Sequence, residues 1–114
     1  MSDNQFHNRA EAIERLGGDA SLYASVAEAF IASSPGYCTA LEAAMQAADV
    51  ATLRREAHTV KSMLATFSCE AGRALAQRLE ELAATGHLDG ARGLTDEVIA
   101  AIKRLVEALA AEAA

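Results

Sequence analysis

The residues best equipped for chemistry are His58 and Lys61, with Arg54 and Arg55 one turn before the histidine and Ser62 one turn after it. Neutral imidazole is a nucleophile, and a free imidazole titrates near about pH 6.5, so an exposed histidine is mostly in its reactive form in a cytoplasm. A phosphoryl group placed on it adds close to ~2 negative charges, which an ammonium one turn away offsets in part as a mobile point charge. Phosphoryl transfer depends mainly on positioning and electrostatics. A chain supplying only nucleophile and cation therefore leaves the metal and the remaining groups to a partner, which accords with a sequence having no Gly-rich phosphate loop and no cluster of acidic metal ligands. Spacing alone favours a plainer reading, a solvated histidine with incidental basic neighbours.

The element that must position these residues runs from Asp49 to Phe67 without Gly or Pro. Asp49 is a natural N-cap, and Leu53, Ala57, Val60, Leu64 and Phe67 recur at helical spacing on one narrow stripe. His58 lies about 140° from the middle of that stripe and Lys61 about 80°. The histidine is thus predicted to face water from regular helix, with Ala51 and Ala65 too small to screen it.

Around it the chain reads as further helices. Phe6, Ala10, Ile13 and Leu16 share a face of a short leading helix that stops at Gly17-Gly18. Asp19 caps a helix carrying Leu22, Val26, Ala29, Phe30 and Ser33, and Ser34-Pro35 predicts a break and a restart, Ser as N-cap and Pro at the first helical position. Tyr37, Leu41, Ala44, Met45 and Ala48 continue to a tight corner near Asp49. Ser68 is predicted to cap the helix of Leu75, Leu79 and Leu82, with Glu70 in its first turn and an end near Thr85-Gly86. Asp89 caps the last helix, with Leu94, Val98, Ile102, Leu105 and Leu109 as its seam. Short links between such helices predict an all-α, up-down antiparallel four-helix bundle with a short extra N-terminal helix, a single domain over residues 1–114.

Composition agrees. Ala dominates, with three Phe, two Tyr and no Trp, which favours closely packed helices. Sixteen acidic residues against ten Lys and Arg give a net charge of −6, which disfavours nucleic acid; the densest basic group is Arg54, Arg55 and Lys61. No stretch approaches a membrane span, and the polar N-terminus MSDNQFHNRAE is not a signal peptide, so the expected location is the cytoplasm, with Cys38 and Cys69 reduced. Cys69 at a helix start is placed for a lowered pKa, although a structural thiol is the simpler reading. His7 and His87 lack metal-ligand partners, and Met45 and Met63 read as filling.

Ala57-His58-Thr59-Val60-Lys61, the joint at Ser68, and Leu75 to Glu80 together resemble the histidine-containing phosphotransfer (HPt) domain. Glu14 to Asp19, Ser34-Pro35 and Ala47-Ala48-Asp49 extend the likeness over roughly residues 13 to 107. The resemblance implies a four-helix bundle of one HPt-like domain, in which His58 takes a phosphoryl group from one receiver aspartate and passes it to another, and Lys61 stands beside the phosphate. The partners implied are receiver domains of a hybrid sensor kinase and of response regulators. The Mg2+ comes from the receiver, the domain has no cofactor or metal of its own, and it is a phosphocarrier rather than an enzyme. Arg54, Arg55, Ser62, Ala65 and Gln77 are the candidate partner-binding residues, and a monomer suffices because nucleophile and lysine share a helix.

This sequence departs from the family where Ser62 follows the lysine in place of the usual Gly, and where Ser68 replaces a joint Gly. Ser62 is placed either to crowd a partner or to donate to the phosphate. In chemotaxis-type relatives a carboxylate on the next helix contacts the histidine, and Gln77 stands at the similar position here. The rival readings are a non-phosphorylated receiver-binding adaptor and the phosphoacceptor domain of a chemotaxis-type kinase; a metal-binding bundle lacks the repeated inward Glu and His it needs.

Overall fold

The computed structural model describes residues 6–113; Met1–Gln5, the start of the polar N-terminal stretch, and Ala114 lie outside them. Five helices and no strands make up the described residues: α1 Arg9–Arg15, α2 Ala20–Gln46, α3 Val50–Thr66, α4 Glu70–Ala84 and α5 Ala91–Ala113. Side-chain caps start three of them. Asn8 Oδ1 accepts from Glu11 N, Asp19 from Leu22 N and Asp49 from Thr52 N, at 3.0, 3.0 and 3.1 Å, so the aspartates predicted to cap α2 and α3 do so.

The break predicted at Ser34-Pro35 is absent: α2 runs through Pro35 as one helix of 27 residues. Proline has no N–H for the carbonyl four residues back, Ile31 O. The buried Ser34 hydroxyl donates to that same oxygen at 2.9 Å, so the carbonyl keeps a partner and the helix continues. The predicted face of α2 is also one residue out of phase. Tyr23, Ala27, Phe30, Ser34, Leu41 and Ala44 are buried, whereas Leu22, at 44 % the exposed large hydrophobe of the described residues, and Ala29 and Ser33 face water. Tyr23 can point inward because its hydroxyl donates to Glu112 Oε1 at 2.7 Å. In α1 likewise Ala12 is buried and Ala10 is exposed.

Two corners use left-handed backbone without glycine. Ala48 and Ser68 both have φ +53°, and each lets the next residue's N–H return to the helix it leaves: Asp49 to Ala44 O and Cys69 to Leu64 O, both 2.9 Å. Ala48 therefore makes the corner rather than continuing the helix face. Ser68 does not cap α4, because its φ is wrong for a cap and its hydroxyl accepts from Arg15 Nε at 2.9 Å; buried Cys69 precedes the helix, with no side-chain cap bond. Asp89 does not cap α5 either, since Gly90, at φ +81°, is the residue before the helix.

α3 packs most extensively on α4; α2 packs on α3 and α5, and α4 also on α5. On α3 the buried stripe is the predicted one, Leu53, Ala57, Val60 and Leu64 with Phe67 at the end. It meets Gly72, Ala76, Leu79 and Ala83 of α4. A Cβ added at Gly72 would come within 3.1 Å of Cys69 Sγ and 3.2 Å of Leu64 Cδ1. Small residues on both helices allow a close approach, and that approach brings the outward flank of α3 within reach of α4 side chains. All five predicted seam residues of α5, Leu94 to Leu109, are buried.

Candidate functional site

His58 projects from mid-α3 with its side chain 60 % exposed, as its angle to the buried stripe requires. Its Nδ1 lies 2.9 Å from Oε2 of Glu80 on α4, and Lys61 Nζ lies 2.7 Å from the other oxygen, Oε1. One carboxylate thus bridges the imidazole and its neighbouring cation, as a hydrogen bond on one oxygen and an ion pair on the other. Lys61 and Glu80 are only 25 % and 20 % exposed, so these two sit in the α3–α4 crease while the imidazole stands above it. The Lys61 ammonium foremost, and then His58, holds the Glu80 carboxyl below the usual carboxylate range, against partial burial, which pushes it up.

That charge state fixes the chemistry of the ring. An ionised carboxylate only accepts, so the Nδ1 contact requires the proton on Nδ1 and leaves the lone pair on Nε2. The exposed nitrogen is then the one whose lone pair is free.

Sequence reasoning placed Gln77 opposite the histidine, and the structure puts Glu80 there instead. Gln77 accepts from Arg73 Nη1 at 2.7 Å and donates to Glu81 Oε2 at 3.0 Å, part of a ladder along α4 that Glu70 continues by binding Arg73. Glu80 is one turn beyond Gln77, and the signal for it was available: a carboxylate within the Leu75–Glu80 stretch, flanking the Leu79 core position. Ser62 is exposed one turn after His58, and its hydroxyl donates back to the His58 carbonyl at 3.3 Å. Ala65, half-buried two turns after His58, keeps that flank low, and Arg54 and Arg55 are exposed one turn before it.

Other titratable groups lie elsewhere. His7, which lacks metal-ligand partners in the sequence, pairs through Nε2 with Glu112 Oε2 at 2.6 Å, tying the chain ahead of α1 to the end of α5. Burial foremost, and then Glu112, pushes the Tyr23 hydroxyl pKa up. Both cysteines are free, and burial pushes their thiols up, so Cys69 lacks the lowered pKa its helix-start position suggested. A cavity of about 460 Å³ between α2 and α5, with Tyr23, Ile31 and Leu109 in its wall, does not include His58. Among the described residues no group of three His, Cys, Asp or Glu is placed to hold a metal ion, and no helix is long and apolar enough to cross a membrane.

The imidazole thus stands exposed on a helical bundle, with cation and carboxylate behind it. The Hpt domain family matches residues 25–112, and the chain belongs to that family. Its members are phosphocarrier modules rather than catalysts, and they interact with receiver domains of kinases and response regulators. Among solved structures the fold is similar to the crystal structure of histidine-containing phosphotransfer protein B (HptB) from Pseudomonas aeruginosa PAO1, with TM-score 0.86, 21 % identity and 96 % of each chain covered. No curated protein matches the chain significantly.

Proposed function

We propose that this histidine phosphotransfer protein carries a phosphoryl group on Nε2 of His58 between receiver-domain aspartates. The observation that carries the reading is the exposed imidazole whose Nδ1 is bonded to Glu80, with Lys61 on the same carboxylate. In the accepting step the Nε2 lone pair attacks phosphorus, the bond from phosphorus to the aspartyl oxygen breaks, and the receiver regains its carboxylate. Positive charge developing on the ring is spread toward Nδ1–H and Glu80. In the donating step a second receiver aspartate attacks phosphorus and the N–P bond breaks, returning the lone pair to Nε2. Lys61 faces the incoming phosphate by sharing or leaving Glu80, and the Mg2+ belongs to the receiver.

We take the scaffold as an up-down antiparallel four-helix bundle, α2 to α5 with α1 as the extra leader, a reading supported by the packing of α2 on α3 and α5 and of α4 on the same two helices. Nucleophile, cation and carboxylate all come from one chain, so a monomer is sufficient. The test is incubation with a receiver domain carrying labelled phosphate, comparing wild type with His58→Gln. The expected result is label on the wild type that survives base, is lost in acid and is absent from the variant. A wild type that binds the receiver but never takes label would sink the carrier reading and leave an adaptor.

A further inference from the structure

The pattern of ion pairs sets one group of cations apart. Of ten Lys and Arg, half meet a carboxylate among the described residues. Arg9, Arg15, Lys61, Arg73 and Arg92 do so, and Arg104 lies over the Phe6 ring, 4.2 Å from its centroid. Arg54, Arg55, Arg78 and Lys103 make no ion pair among the described residues. Lys103 lines a cavity beside Cys38 between α2 and α5. Arg78 falls on the opposite flank of α4 from Glu80, by helical periodicity. Arg54 and Arg55 alone of the four share the His58 helix, four and three residues before it, and both are exposed.

The Asp49 carboxyl feels Arg55. That carboxylate is already taken up by the Thr52 backbone N–H at 3.1 Å and the Thr52 hydroxyl at 2.7 Å, and it forms no ion pair with Arg55. Two guanidiniums left unpaired in a molecule of net charge −6 keep a local positive field open to an outside anion.

The partner's chemistry supplies that anion. A receiver donates and accepts phosphate on an aspartate and holds its divalent cation with further carboxylates, so the face it brings to His58 is rich in acid. Resting on the phosphocarrier reading, we propose that Arg54 and Arg55 form a basic docking rim that steers and registers the acidic face of a receiver domain over His58. The net charge of −6 repels an acidic face at long range, and two cations beside His58 make approach here the favoured one. Such a rim raises the encounter rate in a salt-dependent way and leaves the chemical step alone.

The test uses isolated receiver domains of the same organism, each charged with acetyl phosphate and Mg2+, at concentrations spanning half-saturation, in low and in high salt. The proteins are wild type, Arg54→Ala/Arg55→Ala and Arg54→Glu/Arg55→Glu, with folding confirmed by circular dichroism. The expected result is a kcat/KM about tenfold lower in the double Ala variant and lower still on charge reversal, with a flattened salt dependence and an unchanged maximal rate. Unchanged kcat/KM and salt dependence would overturn the rim while the carrier stands. A loss confined to the maximal rate would also overturn it, because it would place the arginines on the phosphoryl group. If wild type takes no label, the carrier reading falls, and calorimetry of receiver binding decides the rim separately. Salt-sensitive binding weakened in both variants upholds it; binding that is absent, or equal in all three proteins, overturns it.

Discussion

Replacing Glu80 probes the carboxylate that holds both working groups. Glu80→Ala removes the acceptor for His58 Nδ1–H, 2.9 Å away, and the countercharge of Lys61, 2.7 Å away. A hydrogen bond to a charged group contributes about 1.5–3 kcal/mol when well buried. The His58 side chain is 60 % exposed, so solvent reduces this to about 1 kcal/mol, with a comparable amount from orienting Lys61. At about 1.4 kcal/mol per tenfold, a loss of about 1–2 kcal/mol from the transition state slows phosphoryl acceptance roughly 5–30-fold. Glu80→Gln keeps an oxygen for Nδ1–H and loses only the charge, so its loss is smaller. Single-turnover transfer from a phosphorylated receiver measures the rates. The ¹⁵N shifts of His58 report the ring proton, which moves from Nδ1 toward the Nε2–H form preferred by free imidazole in the Ala variant. An Ala variant with wild-type rate and an unchanged ¹⁵N pattern would refute the reasoning. Stability supplies a second check. A carboxyl held low in the fold stabilises it above the unfolded value of about 4.3, and that contribution is lost as pH falls through the folded value. The wild type should therefore exceed Glu80→Gln by about 0.5–1 kcal/mol at neutral pH, and the gap should close in acid.

The remaining predictions concern the scaffold. Ser34→Ala leaves Ile31 O without a partner beside Pro35 and should cost about 1–2 kcal/mol in urea unfolding; no change would mean the hydroxyl does not sustain α2. Ala48→Gly relieves left-handed backbone at φ +53° in an exposed corner and should stabilise by about 1 kcal/mol, read as a higher denaturation midpoint. Thr95 is fully buried with Oγ1 unpartnered, so Thr95→Val should be neutral or stabilising by up to about 1 kcal/mol in the same assay. Gly72→Val forces branches into Cys69 Sγ and Leu64 and should cost about 1–3 kcal/mol, with a weakened His58–Glu80 contact seen as a shift of the His58 ring resonances.

Much of this molecule was legible in one dimension. The stripe Leu53, Ala57, Val60, Leu64 and Phe67 fixed the phase of α3, and with it the outward direction of His58 and the crease position of Lys61. The α5 seam was equally plain, because large aliphatics at strict helical spacing leave one way to bury themselves. α2 was misread for two connected reasons. The expected face runs through Leu22, Val26, Ala29 and Ser33, whereas Tyr23 and Ser34 are buried because each hydroxyl finds a partner, Glu112 from across the fold and Ile31 from within the helix. Ser34-Pro35 reads as an N-cap and first helical position, a break and a restart, but the Ser34 hydroxyl donates to Ile31 O and the helix continues through Pro35.

The sequence by itself determined the all-helical class, the histidine–lysine pair on one turn and the exposure of the imidazole, since all three follow from the period of a single helix. Which residue of α4 stands opposite His58 was decided only by the tertiary structure. That choice depends on how far α3 and α4 slide and how closely they approach, and small residues at Ala57, Gly72, Ala76 and Ala83 set both. One turn of offset separates Gln77 from Glu80, and so a neutral amide from a carboxylate that holds the ring proton and the lysine together.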